Sequence, residues 1–174
     1  MKVMFSNSGD GRLCSWRAEP PRRRAFQGST MASRAARTDL PHDLAQLVVE
    51  ASLGLEHGFW NLLANGATFK SVGRRRTRPG RQLIVAYRQE LNAAEGAVNA
   101  HVHAWRDGRP TPAGPALDAM LARWRSLPVG EELVVEWPTW RLAEPRRRYA
   151  PPDPPGPGVV QTAAATHLRF RIAK

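Results

Sequence analysis

Between residues 81 and 106, Ile84, Tyr87, Leu91, Ala94, Val98, His101 and Trp105 recur at alternating spacings of three and four. That period places all seven on one face of an α-helix, and three heptads of it need another apolar surface to cover them. The helix is expected to end at Asp107-Gly108-Arg109-Pro110, because proline lacks an amide donor and glycine weakens helical continuation. Pro115 suits the first turn of a following helix in which Leu117, Met120, Leu121 and Trp124 share a side, stopping before Pro128.

Upstream, a helix is expected to begin near Pro41. Asp39 is placed to cap it, and Leu44, Leu47, Val48, Ala51 and Leu55 repeat at helical spacing. Gly54 should end it, and a shorter helix over 56–64 should end at Asn65-Gly66. Strands are expected at Lys2–Ser6 and Arg12–Arg17, joined as a hairpin by Asn7-Ser8-Gly9-Asp10-Gly11, at Leu133–Trp137, and at Leu168–Ile172. Thr68–Val72 reads as a further short strand, and Pro138 limits the Leu133 strand to an edge or a strand end. The hairpin also favours Met1 over Met31 as the start of the chain. Residues 19–38 and 145–158, the latter with PPDPPGPG, read as mobile or extended linkers within a single domain spanning 1–174. The expected architecture is α+β, with three or four helices packed on a small antiparallel sheet formed by the N-terminal hairpin and the C-terminal strands.

Apolar runs far shorter than the ~18 residues of a membrane span, and an N-terminus without the apolar centre of a signal peptide, point to the cytoplasm and to no membrane partner. A single cysteine, Cys14, has no partner for an internal disulfide and reads as a structural thiol. The formal charge of +11 would attract nucleic acid or an acidic protein. Basic charge comes from 23 Arg against 3 Lys, however, and in a chain rich in Ala and Pro a GC-rich genome produces the same bias. The charge is unevenly spread: Asp39 to Val72 is net −3 and the remainder +14. The candidate polyanion-binding surface comprises Arg74, Arg75, Arg76, Arg78, Arg81, Arg146, Arg147, Arg148, Arg169 and Arg171, with Arg22 to Arg24 as a further cluster. Trp60, Trp105, Trp124, Trp137 and Phe170 fall on apolar faces, which leaves Trp16 and Trp140 as the tryptophans available for stacking.

Chemistry-bearing residues are sparse. Asp43, Glu50 and His57 fall seven apart, with His42 beside them, which makes a metal set of His42, Asp43, Glu50 and His57 conceivable. Seven residues span about 10.5 Å of helix, too far for one ion with ligand bonds near 2 Å, so a solvated polar face is the simpler reading. His101 lies on the apolar stripe and could meet Glu50 or Asp43 as an acid–base pair, whereas His103 points to the polar side. There is no nucleophile elbow, phosphate loop or dinucleotide fingerprint. No cofactor is expected.

The segments Leu40-Pro41-His42-Asp43-Leu44, Val48-Val49-Glu50, Leu53-Gly54-Leu55, Gly58-Phe59-Trp60 and Leu63-Ala64-Asn65-Gly66-Ala67 resemble a group of uncharacterised bacterial proteins with an LPHDL…VVE…G-F core. The resemblance covers about a quarter of the chain, implies a small bacterial protein, and adds weight to His42, Asp43 and Glu50 without transferring a catalytic role. The reading favoured by the sequence is a non-enzymatic interaction module that meets an anionic partner, a nucleic-acid backbone or an acidic protein, through Arg-rich loops. The alternative is a small metal-dependent or acid–base enzyme using His42, Asp43, Glu50, His57 or His101.

Overall fold

The computed structural model describes residues 1–7, 13–21, 23–31, 40–72, 76–138, 140, 142 and 170–172. In chain order the elements are β1 (Lys2–Asn7), β2 (Leu13–Glu19), β3 (Phe26–Met31), α1 (His42–Leu53), α2 (Phe59–Ala64), α3 (Arg78–Ala86), α4 (Arg88–Arg106), α5 (Gly114–Ser126), β4 (Glu132–Glu136) and β5 (Phe170–Ile172). The architecture is α+β. An antiparallel sheet in the order β3-β2-β1-β4-β5 carries the hairpin and the later strands, and the helices cover one face of it.

The hairpin pairs Lys2 with Glu19 and Asn7 with Cys14, its second strand ending two residues later than the expected Arg17. Alternation along β1 and β2 sends Val3, Phe5, Cys14, Trp16 and Ala18 to the helical side. β4 stops at Glu136, two residues before Pro138, so proline marks its end while the strand itself lies between β1 and β5. The expectation of a linker over 19–38 fails in part, because Phe26–Met31 is strand β3, registered against β2 from Ala18↔Phe26 to Leu13↔Met31. Its sequence, FQGSTM, carries little alternation of its own. Phe26 buries against the core and the β2 edge supplies the ladder. Residues 145–158, and Asp39 as a cap, lie outside the described residues.

The sheet's inner face meets α1, which packs in turn against α4 and α5. Phe5, Trp16, Phe59 and Trp60 form an edge-to-face aromatic cluster with centroids 4.9 to 6.1 Å apart, each contact contributing about 0.5–1.5 kcal/mol beyond area burial. Among the described residues five helices replace the three or four expected, because the long stripe is divided. Tyr87, with φ −109° and ψ 25°, closes α3 and opens α4. The apolar phase continues through the break, with Tyr87, Ala94 and Val98 buried. Arg78, Pro79 and Gly80, expected in a loop, form the first turn of α3, since proline fits there and the Thr77 hydroxyl accepts from the Gly80 amide at 3.1 Å. Thr68–Val72 is turn and coil rather than a strand. No helix among the described residues is long and apolar enough to cross a membrane.

Candidate functional site

Two polar constellations emerge, one inside the molecule and one on its surface. The inner one is built on α1. Glu50 is fully buried, and its Oε1 accepts from the Phe59 amide at 2.9 Å while Oε2 accepts from the Trp60 amide at 3.0 Å. These are the orphan amides of the first turn of α2, so a carboxylate nine residues upstream supplies the cap that Gly58, the N-cap residue, has no side chain to give. Glycine is needed at 58 because a Cβ there would run into the Glu50 carboxyl. The Gln46 side-chain amide, one turn earlier, donates to Glu50 Oε1 at 2.9 Å and to Glu95 Oε1 of α4 at 2.7 Å. Burial pushes the Glu50 carboxyl up to about 8, against the opposing pull of the Trp60, Gln46 and Phe59 donors and with help from the nearby Glu95 charge.

At the start of α1, Asp43 accepts from the Trp16 indole at 2.6 Å, and His42 Nδ1 lies 3.3 Å from the other oxygen of the same carboxylate. That hydrogen bond raises the His42 pKa above the usual imidazole range against the effect of burial, with the charges of Asp43 and Glu95 adding to it and Arg106 opposing. Trp16 is thus a buried structural donor and not an available stacking surface. The other stacking candidate, Trp140, is half-buried. Its backbone amide donates to Asn61 Oδ1 and its carbonyl accepts from Asn65 Nδ2, both at 3.0 Å. Cys14 is buried, and burial raises its thiol to about 12, so it is a weak nucleophile.

The sequence candidates therefore divide. His42, Asp43 and Glu50 sit along α1, but Glu50 faces α2 and the core while His42 faces outward. His57 leaves this line and stacks on Tyr87, with ring centroids 4.7 Å apart. His101 does not meet Glu50 or Asp43: it pairs through Nδ1 with the Thr111 hydroxyl, because the turn after α4 returns Thr111 beside its last turns. Among the described residues no three His, Cys, Asp or Glu side chains are grouped to hold a metal ion. Sequence reasoning missed Gln46, Glu95, Asn61 and Gly58. The i, i+4 spacing of Gln46 and Glu50 was readable, whereas the reach from Glu50 to α2 requires the turn at Gly54, which has φ 63° and ψ 39°.

The outer constellation is basic. Arg76, Arg78 and Arg81 are exposed at the start of α3, whose first turn carries no acidic residue. Arg23, also exposed, comes from the loop between β2 and β3, and its guanidinium lies against Gly66, where a Cβ would collide with it. Gly66 in turn touches α3: a Cβ on Gly80 would sit 2.7 Å from the Gly66 carbonyl oxygen, and the Thr68 amide donates to the Gly80 carbonyl at 3.4 Å. The Arg23 guanidinium thus borders the Gly66 side of this contact, while Arg78 and Arg81 belong to the exposed face of the helix that carries Gly80. Arg74, Arg75, Arg146, Arg147, Arg148 and Arg169 lie outside the described residues, as does the side chain of Arg171 on β5. Comparison with family models, with curated proteins and with solved structures finds no match.

Proposed function

We propose that this protein is a non-enzymatic interaction module that meets an anionic partner, in the first place a nucleic-acid backbone, through the arginines gathered at the start of α3. The observation that supports the reading is the exposure of Arg76, Arg78 and Arg81 at the start of α3 with no acidic residue in its first turn, while the exposed Arg23 lies against Gly66, which touches Gly80 of the same helix. Guanidinium groups present planar donor forks that match phosphate oxygens, and three exposed arginines at the start of one helix give a patch and not a lone charge. The α3 amides are a minor part of it. Thr77 already satisfies the Gly80 amide, and Pro79 has none to offer, so the side chains would make the contacts. A backbone-directed patch of this kind reads charge and spacing and carries no base preference.

The competing enzyme reading draws on His42, Asp43, Glu50, His57 or His101, of which Glu50 has its oxygens occupied by the Phe59, Trp60 and Gln46 donors and closed to solvent, while His57 and His101 are directed to Tyr87 and Thr111. The test is a salt titration of binding to mixed-sequence duplex DNA and RNA. Four phosphate contacts give a slope of log K against log salt of about −3 to −4. Absence of binding at low salt contradicts the proposal. Binding with no salt dependence contradicts it equally.

A further inference from the structure

Two patches of opposite charge flank Tyr87. On one side, a groove of about 420 Å³ is bordered by Leu55, Glu56, His57, Glu90, Ala93 and Ala94, with apolar Leu55, Ala93 and Ala94 between the exposed Glu56 and Glu90 carboxylates. No arginine or lysine lines it, and the C-terminal end of α1 adjoins it at Gly54, adding partial negative charge. His57 ties the groove to Tyr87 by ring stacking. On the other side, Arg78, Arg81, Gln82, Val85 and Ala86 line a neighbouring depression along one face of α3, in helical steps ending beside Tyr87. Val85, between Arg81 and Arg88 in the chain, is 57% exposed.

We infer that two copies of this chain associate through these patches, the α3 face of each lying over the acidic groove of the other. Charge complementarity selects that occupant: Arg78 and Arg81 would meet Glu56 and Glu90, and Val85 would cover the apolar strip between them. None of these four charged residues forms an ion pair with another described residue. A two-fold axis between the copies would set each patch on its counterpart at once. The contact closes as a dimer and does not propagate. A helix face and a groove supply less than the roughly 1,600 Å² of a standard interface even when doubled, and their ion pairs are exposed, so association is weak and salt-sensitive. The inference does not rest on the nucleic-acid reading, although both use Arg78 and Arg81 and the two events would compete.

The experiment is sedimentation velocity on the full chain at low and high salt, over a range of protein concentrations. The expected result is a concentration-dependent dimer at low salt that dissociates at high salt. The double variants Glu56→Arg/Glu90→Arg and Arg78→Glu/Arg81→Glu should each remain monomeric at low salt, since each then opposes like charges, and their equimolar mixture should recover the dimer. All four positions are exposed, and thermal melts of both variants establish that they fold. A wild-type chain that stays monomeric at low salt overturns the inference, as does a dimer that persists in both variants or a mixture that fails to associate. Nucleic-acid binding in a chain that never dimerises overturns this inference and leaves the functional proposal standing. A salt-sensitive dimer that ignores nucleic acid does the reverse.

Discussion

Helix α1 buries eight consecutive residues, Leu44 to Ala51, whereas α3 buries only Gly80. The first is enclosed by the sheet, α4 and α5 and so must satisfy its polar groups internally, which Gln46 and Glu50 do through α2 and Glu95. The second packs on α4 and, through Leu83 and Ile84, on the small Leu62, Ala67 and Tyr87 cluster, and its Arg78, Arg81 and Gln82 are exposed. The difference teaches where substitutions should be felt as stability and where as binding. The enclosed middle of α1 turns each polar residue there into a structural commitment, and a helix that packs through Gly80, Leu83 and Ile84 leaves the arginines of its exposed face for other work.

The strongest way to break this contrast is Glu50→Ala, which strands the Phe59 and Trp60 amides in the core. We expect a loss of about 2–4 kcal/mol in urea unfolding. A change within error would mean that Glu50 does not hold α2. Gly58→Ala pushes a methyl group into the same carboxyl and should lower stability by about 1–3 kcal/mol, with φ of −72° ruling out backbone strain as the cause.

Next comes pH. The Glu50 carboxyl is raised from 4.5 to about 8, so the native state holds this proton more tightly than the unfolded chain. Its contribution to stability is full below about pH 4.5 and is lost as pH rises through about 8. His42, also raised, works in the same direction from its own range, and the N-terminal amine, lowered by burial, works in the opposite one. Melting wild type and Glu50→Gln in parallel from pH 5 to 8.5 isolates the effect: the wild-type stability should fall further with pH than that of the variant, and parallel curves would contradict the assignment. The smallest expected effect is on the other side of the comparison. Arg78→Ala/Arg81→Ala should alter stability by less than about 0.5 kcal/mol per site, as exposed positions do, and a larger loss would show that α3 is part of the scaffold.

Much of the scaffold was legible because it rests on periodicity. The stripe from Ile84 to Trp105 and the hairpin reappear, the stripe divided at Tyr87 without loss of phase, and Glu132–Glu136 is a strand, but its burial does not alternate, since Val134 is buried along with Leu133 and Val135. β3 was not legible, since its pairing partner and not its own alternation makes it a strand. The polar residues were half legible. His42, Asp43 and Glu50 could be picked out by type, but their roles depend on Trp16, Gln46, Phe59 and Trp60, which arrive from other elements. His101 was misplaced because the stripe fixes a face of α4 and says nothing about which loop folds back on it. The basic residues show the same limit: each arginine run was visible, yet the seat of Arg23 against Gly66, and of Gly66 against Gly80, depends on two glycines with no side chain to keep the segments apart.

The central claim is that the start of α3 is a phosphate-directed surface carried by an independent scaffold. Fluorescence anisotropy of a labelled mixed-sequence duplex, titrated at several salt concentrations with wild type and with Arg78→Ala/Arg81→Ala, tests it most directly. The account predicts that the variant binds more weakly and that the magnitude of its salt slope falls by about 1.8, the share of two phosphate contacts. An unchanged slope, or a wild-type chain that does not bind at low salt, would contradict it.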